Sequence, residues 1–287
     1  MSVKIMLMVF SGRENPQWDL TSDQVGTLRD KLNALRGTTM ERPAGMVGGL
    51  GYQGFSVTAE REMDLEPSIF VHVNIVDLGP QSVALRDASS NLEAWLLDTG
   101  GNAVEPKVRS YVQSQLGLPP LYAGAARQVH RARALEVPRF EPNIWNNDPN
   151  IQVHNNCYNY ANNKITNTFA QPGRGSGASF TYPPTGPGVA RAAISDGLEA
   201  LADPEAWQST PGDGHWIALV ISTDIDDYHW YRLDDLNARW SHKPGQTRAR
   251  DTDQAAVQIA DPRSCDRTPY ADFIGFFHTY PARITIR

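Results

Sequence analysis

Three side chains in the second half of the sequence have the chemistry needed to break an amide bond. Cys157 would supply a sulfur nucleophile, His215 a base that takes up its proton, and Asp234 a carboxylate that orients the imidazole ring. Cys157 lies where a helix is predicted to begin, and the dipole and free amides of a helix N-terminus lower the pKa of a thiol. The sequence therefore predicts an activated thiolate at Cys157.

A predicted hairpin places the histidine beside the carboxylate. Its strands are predicted over His215–Ser222 and Tyr228–Asp234, and a polar turn joins them. If the turn is centred between residues 224 and 225, opposed residues have numbers that add up to 449, so His215 faces Asp234. A slip of one residue selects Asp235 instead. Directly opposed side chains lie within ~5 Å, close enough for the carboxylate to accept the ring proton.

This order of residues resembles the papain-like superfamily of cysteine hydrolases, and its spacing is closest to the bacterial amidase and transglutaminase-like branches. The resemblance covers residues 155–235, about a quarter of the chain. It rests on a Cys that opens a helix, a His that opens a strand and a polar group on the next strand. The resemblance implies that Cys157 is the nucleophile, His215 the general base and Asp234 the residue that orients the base.

The resemblance also implies donors for an oxyanion near the cysteine. Gln152 and Asn156 precede it, and together with Trp216 they are the expected oxyanion and substrate-binding residues. The implied reaction is hydrolysis or transfer of an amide bond through a thioester, with peptides as the expected substrates. Hydrolysis and transamidation both stay open, since the choice depends on which acceptor enters the site.

Two other interpretations use the same residues. His154 and Cys157 form a His-x-x-Cys pair that could hold copper or zinc together with a distant histidine, namely His215, His229 or His242. Alternatively, a non-catalytic module could bind a peptide or a glycan in a groove lined by aromatic side chains of the hairpin, and Cys157 would then be unreactive. Those aromatic residues are Trp216, Tyr228, Trp230, Tyr231 and Trp240.

Length, charge and cysteine content narrow the class of protein. The chain has 287 residues and a formal net charge of −6, and a net-negative chain without a basic run is a poor binder of nucleic acid. Two cysteines 108 positions apart suit a reducing compartment. The first apolar run is too short for a signal peptide or a membrane span. We therefore expect a cytoplasmic protein without cofactor, metal, nucleic-acid partner or membrane partner, and its oligomeric state stays open.

The sequence divides into three parts. Residues 1–117 are predicted to form an α+β domain that positions a substrate or partner, residues 118–149 a proline-rich connector, and residues 150–287 the papain-like domain. In the first domain the predicted strands cover residues 3–10, 51–58 and 68–76, and the predicted helices begin at Thr21 and cover residues 92–98 and 104–116. The connector is predicted to contain a short helix over residues 125–135.

The last part is predicted to change from helices to antiparallel strands. Helices are expected over residues 157–168 and 189–201, with the Gly-rich stretch 171–177 between them as a flexible loop. That stretch lacks the Lys-Ser/Thr pair of a phosphate-binding loop. Besides the hairpin, strands are expected over residues 240–243, 257–260, 273–280 and 283–286. The predicted class of the whole chain is therefore α+β.

Overall fold

The chain forms two compact units, each built from more than one stretch of sequence. The computed structural model describes residues 2–41, 49–60, 65–79, 84–88, 91–116, 137–208, 213–235 and 239–287, with the backbone alone at residue 235. Unit 1 comprises Met1–Val9, Asn15–Gly48 and Tyr52–Tyr122, and unit 2 comprises Phe10–Glu14, Gly49–Gly51 and Ala123–Arg287. Helices and antiparallel sheets occur together, which confirms the predicted α+β class.

Unit 1 is an antiparallel sheet with helices. The strands are β1 (Val3–Met8), β2 (Gln17–Asp19), β3 (Thr39–Met40), β4 (Gly54–Ala59), β5 (Ser68–His72), β6 (Ile75–Asp77) and β7 (Ala84–Arg86). The helices are α1 (Ser22–Leu35), α2 (Asn91–Thr99) and α3 (Pro106–Gln115), with a 3₁₀ turn at Gly101–Ala103. The strands lie in the order β2-β1-β4-β5-β6-β7-β3.

Helix α1 begins as the sequence predicts. The hydroxyl of Thr21 accepts a hydrogen bond from the amide of Gln24, whose side chain in turn accepts from the amide of Thr21, so two amides at the helix start find partners. Val25, Leu28 and Leu32, spaced three and four residues apart, are the buried residues of this helix.

The single strand predicted over residues 68–76 is wrong, because the chain reverses in its middle. Val73 and Asn74 both have positive φ, so β5 and β6 form a tight hairpin. The buried carboxylate of Glu93 accepts hydrogen bonds from both of their amides, at 3.0 and 3.3 Å, and a third from the Tyr52 hydroxyl. A side chain from a distant helix thus stabilises a turn that the alternating strand pattern does not reveal.

Unit 2 contains short helices and a second antiparallel sheet. The helices are α4 (Pro142–Asn146), α5 (Pro149–His154), α6 (Cys157–Ala161) and α7 (Gly186–Ser195), and a 3₁₀ turn lies at Ala206–Gln208. The strands are β8 (Glu199–Ala200), β9 (His215–Ser222), β10 (Asp227–Asp235), β11 (Arg239–His242) and β12 (Asp272–Thr279), in the order β11-β10-β9-β12-β8. Residues 118–136 of the predicted connector, with its helix, lie outside the described residues.

The β9–β10 hairpin has the predicted register and forms the centre of unit 2. Paired residues run from Asp227 with Ser222 to Arg232 with Ile217, and each pair adds up to 449. All residues of β9 are buried. The five aromatic side chains considered as a surface groove are at most 6% exposed, so they pack in the core and line no open groove.

Helix α6 ends at Ala161, seven residues before its predicted end at Thr168. Asparagine side chains replace helical hydrogen bonds beyond that point, as this residue type commonly does. The Asn155 side-chain oxygen accepts from the amides of Thr166 and Asn167, and Asn167 itself takes a positive φ. The chain after Ala161 therefore forms turns.

Two strands predicted near the end of the sequence are wrong, because residues 257–260 and 283–286 do not form regular strands. Residues 257–260 contribute an isolated bridge between Thr252 and Gln258, and residues 283–286 follow a turn in which the amide of Ile284 donates to the carbonyl of Tyr280. No helix among the described residues has both the length and the apolar character needed to cross a membrane.

Candidate functional site

Cys157 is the first residue of α6, at the position that the sequence predicts. Asn156 caps this helix, since its side-chain oxygen accepts from the amides of Tyr158 and Asn159. The Cys157 side chain is 0% exposed and belongs to the apolar core of unit 2. Burial raises the pKa of the thiol well above its usual value, the nearby Asp227 carboxylate raises it further, and the amide of Trp230 opposes the shift. Cys157 is therefore a neutral core thiol at physiological pH.

His215 opens β9 as predicted but bonds to a different group. Its Nε2 lies 2.7 Å from the carbonyl oxygen of Ala161, so this nitrogen carries the proton. Its Nδ1 is buried and has no hydrogen-bond partner among the described residues. Burial lowers the pKa of His215 to about 3, so the ring is neutral.

Asp234 binds an arginine of its own strand instead of the histidine. Its Oδ1 accepts from Nε of Arg232 at 2.6 Å, and both side chains are buried. The Arg232 guanidinium also lies 4.0 Å from the centre of the Tyr160 ring and donates to its hydroxyl. The predicted hydrogen bond between His215 and Asp234 is thus not formed, although the hairpin register is right. The side chain of Asp235 lies outside the described atoms.

The other predicted binding residues serve structural roles. The Asn156 amide nitrogen donates to the carbonyls of Gly12 and Ala170. Gln152 is half-buried and donates to the carbonyl of Gln246 at 3.4 Å. Trp216 is 6% exposed and packs on the ring of His278. These three side chains do not converge on one point, and no oxyanion site is formed by them.

The residues proposed as a metal site are also dispersed. His154 is exposed and its Nδ1 lies 3.0 Å from the carbonyl of Asn150, whereas Cys157 is buried. His229 and His242 are both buried and lie side by side, with 2.8 Å between Nε2 of the first and Nδ1 of the second. Within the described ranges, no group of three or more His, Cys, Asp or Glu side chains is arranged to hold a metal ion.

A site that the sequence does not reveal surrounds Asp227. Residues Phe10–Glu14, which we call the inserted segment, belong to unit 2 although Val9 and Asn15 belong to unit 1. The amides of Ser11, Gly12 and Arg13 all donate to the Asp227 carboxylate, at 2.6 to 3.2 Å. The Tyr270 hydroxyl donates to the same carboxylate at 2.6 Å. Burial raises the pKa of Asp227, and these donors oppose that shift because they stabilise the ionised form.

The carbonyl of Gly12 is held from the other side. It accepts hydrogen bonds from the side-chain amides of Asn156 at 3.0 Å and Gln171 at 2.7 Å, and the Tyr228 hydroxyl lies 3.0 Å away. A Cβ atom at Gly12 would lie 2.6 Å from the Tyr228 ring, so only glycine fits. We call Asp227, Tyr270, Asn156, Gln171 and Tyr228 together the clasp.

Aromatic and cationic contacts flank the clasp. The Arg13 guanidinium lies 4.1 Å from the centre of the Phe10 ring and 5.4 Å from that of Tyr182. Phe10 is buried, whereas Tyr182 is 49% exposed. Gly245 is required beside this segment, because a Cβ there would lie 2.4 Å from the Phe10 carbonyl. The inserted segment is therefore fixed along its backbone and anchored by one buried ring.

A second short segment, Gly49–Gly51, also belongs to unit 2. The amide of Leu50 donates to the side-chain oxygen of Gln254 at 2.6 Å, and the side-chain nitrogen of Gln254 donates back to the Leu50 carbonyl at 3.0 Å. The Leu50 side chain is fully buried. Both segments are thus recognised through their backbones by side chains that lie more than 200 positions away.

The Gly-rich loop over residues 171–177 binds an anion, but the anion is internal. The carboxylate of Asp196 accepts from the amides of Gly173 at 2.7 Å and Ser176 at 3.1 Å, and from the Tyr158 hydroxyl at 3.0 Å. Residues 172–177 form turns, and Asp196 holds them in place. The buried Lys243 is likewise satisfied internally, since its ammonium donates to three backbone carbonyls.

One relative bears on the function of this chain. A stretch of 143 residues, 50% of this chain, is 50% identical to insoluble matrix shell protein 1 of the mollusc Ruditapes philippinarum and covers 90% of that protein. The chain belongs to the family of this shell protein. No family model and no solved structure matches the chain, so the resemblance to the papain-like superfamily stays a prediction.

Membership in this family overturns three expectations. The predicted function as a cysteine hydrolase is wrong, since the relative is named as an insoluble matrix shell protein. The bacterial setting that the resemblance implied is wrong for the same reason, because the relative comes from a mollusc. The expected cytoplasmic location conflicts with the relative's place in an insoluble shell matrix. The buried thiol of Cys157, whose pKa is raised, agrees with the correction of the predicted hydrolase function.

Proposed function

We propose that this chain is a non-catalytic structural protein that is built into an insoluble extracellular matrix. Its relative, 50% identical over 90% of the length of that protein, is named as an insoluble matrix shell protein, and this name supports the proposal. The formal net charge of −6 fits a protein that stays soluble until it is incorporated. In this role unit 2 binds other components of the matrix, and no reaction takes place at its buried thiol.

The environment of Cys157 is the main observation in support of a non-catalytic role for this protein. A nucleophilic thiol must be ionised and reachable by its substrate. Cys157 meets neither condition, since its side chain is 0% exposed and its pKa is raised by burial and by Asp227. The predicted base, His215, is committed to the carbonyl of Ala161. These residues support a role for Cys157 in packing.

Sedimentation with shell matrix tests this proposal. Purified protein would be mixed with the insoluble organic matrix that remains after a shell is demineralised, washed, and measured in pellet and supernatant. We expect the wild-type chain to enter the pellet, and the folded Cys157→Ala variant to enter it equally. A soluble protein of similar size and net charge serves as the control and should stay in the supernatant.

Two outcomes would overturn the proposal. A wild-type chain that stays in the supernatant with the control protein has no affinity for the matrix. Loss of pelleting in a folded Cys157→Ala variant would show that the thiol takes part in the function, since removal of a single sulfur atom from the core leaves the surface unchanged.

A further inference from the structure

We propose that the clasp of one copy also takes up the inserted segment of a second copy, so that chains join into a polymer. This inference rests on the proposed function, since it supplies a route from a folded chain to an insoluble matrix. Domain swapping of this kind requires an element that is held by contacts reproducible between identical chains. The inserted segment and its clasp meet that requirement.

The contacts of the inserted segment do not depend on which copy supplies it. Its chain neighbours Val9 and Asn15 belong to unit 1, so five residues enter unit 2 from outside in sequence. Their backbone amides donate to the Asp227 carboxylate of the clasp, and the Gly12 carbonyl accepts from the side-chain amides of Asn156 and Gln171. The same five residues of another copy would make the same bonds, and only chain connection favours the intramolecular partner.

The clasp is selective for a segment of this sequence. Gly12 admits no Cβ, because the Tyr228 ring would lie 2.6 Å from it. Phe10 fills a buried position and Arg13 stacks between its ring and that of Tyr182. A partner must therefore offer an aromatic residue, a glycine two positions later and a cation next to that glycine, which a second copy of this chain does.

The second segment strengthens the exchange. Gly49–Gly51 is also flanked by stretches of unit 1, so a copy that offers one segment offers the other on the same chain. A Cβ at Gly49 would lie within 2.2 Å of the Gln254 side chain, so this position also requires glycine. Two linked segments bind more tightly than either alone, since the second binding event is intramolecular.

The exchange that we propose is head-to-tail. Each copy gives its segments to one neighbour and receives those of another, whereas reciprocal exchange between two copies would stop at a closed dimer; head-to-tail contacts form filaments when the rotation between copies does not close a ring. Polymerisation would then need no surface other than the clasp, and it would place the clasp at every junction of the polymer.

Photo-cross-linking between copies tests the exchange in folded full-length chains and keeps Arg13 intact. One copy carries the photoreactive residue p-benzoylphenylalanine in place of Tyr182, and a second, isotope-labelled copy keeps the wild-type sequence, because the ring of Tyr182 is exposed and its centre lies 5.4 Å from the Arg13 guanidinium. The control copy carries the same photoreactive residue in place of Ile194, whose side chain is 44% exposed on α7.

Mass spectrometry after irradiation gives the result. We expect the cross-link between the inserted segment of one copy and residue 182 of the other to exceed the control cross-link between that segment and residue 194 at least ~10-fold. Equal yields of the two cross-links would overturn the exchange and leave the inserted segment as a contact within one chain. Entry into the matrix pellet is measured separately, so exchange can fail while the proposed function holds.

A mixing experiment provides a second, independent test. A Gly12→Ala copy has a segment that does not fit, and an Asp227→Asn copy has a weakened clasp, so only the mixture pairs an intact segment with an intact clasp. We expect sedimentation velocity to show a 1:1 complex in the mixture and none in either variant alone. A mixture that sediments as single chains contradicts the proposal, and variants that do not fold leave the cross-linking experiment as the deciding one.

Discussion

Iodoacetamide at pH 8 should label the two thiols of this chain in the opposite order to that required by a catalytic Cys157. Cys265 is half-buried, and burial raises its pKa to about 11. At pH 8 roughly one Cys265 in 1000 is then ionised, against about one in four for an ordinary thiol with a pKa near 8.5. Because the thiolate is the reactive form, Cys265 should react roughly 200-fold more slowly than free cysteine.

Cys157 should be slower still, because the reagent reaches it only when the core opens. Its side chain is 0% exposed and its pKa lies well above the usual value. Opening the core of a typical domain costs at least ~5 kcal/mol, which leaves at most about one molecule in 5000 open. Against the roughly 200-fold slowing of Cys265, this predicts that Cys157 is labelled at least ~25-fold more slowly than Cys265.

Timed alkylation followed by digestion and mass spectrometry measures both rates in one sample. In 6 M guanidinium the two peptides should be labelled at equal rates, which controls for their detection. A Cys265→Ser variant should show almost no labelling while folded. Faster labelling of Cys157 than of Cys265 in the native chain would refute the reasoning, since it would show an exposed thiolate where the structure has a buried thiol.

Three further predictions concern stability. Burial lowers the pKa of His215 to about 3, so between pH 6.5 and 3 the unfolded chain binds a proton at this residue that the folded chain excludes; this residue should therefore contribute a loss of ~1.4 kcal/mol of stability per pH unit as the pH falls through that range, read from urea curves as the difference between the wild-type chain and a folded His215→Gln variant, because His72, His229 and His242 add losses of their own to both. Asp227→Asn should lower the free energy of unfolding by ~2–4 kcal/mol, whereas the exposed Asp213→Asn should change it by less than ~0.5, both read from denaturant curves. Gly12→Ala should lower the melting temperature because of its clash with a tyrosine ring, whereas Gly26→Ala, inside α1 with open space around it, should raise stability by ~0.5–1 kcal/mol; equal effects of the two alanines would contradict the steric argument.

Local patterns predicted the hairpin of unit 2 correctly. Alternation and a polar turn gave its register, so that Asp227 pairs with Ser222 as the sum of 449 requires. Register fixes which backbone atoms meet, but not which side chains bond. Arg232, two residues before Asp234, competes for its carboxylate and holds it at 2.6 Å, and the sequence pattern gives no measure of that competition. The predicted link to His215 failed at this step.

The clasp was out of reach of the sequence for a different reason. Ser11 and Gly12 follow the first predicted strand, and Asp227 lies in the polar turn predicted between the hairpin strands, so the residue types at both places indicate only local turns. Their contact joins positions 216 residues apart, and one sequence carries no periodic signal over that distance. The available hint was the position of Asp227 directly before an apolar strand, because an acidic residue that becomes buried there needs several hydrogen-bond donors from elsewhere in the chain.

The clasp can form only late in synthesis, because its two sides lie 216 residues apart in the sequence. Ser11 and its neighbours are synthesised well before Asp227, so their amides lack the carboxylate partner while the rest of the chain is being made. Closing so wide a loop also carries an entropic cost that rises with its length. In the proposed exchange, the five residues of the inserted segment can bind the clasp of another, completed chain during that interval. A high local density of nascent chains on one messenger RNA should therefore increase the fraction of chains that are released already joined to another copy.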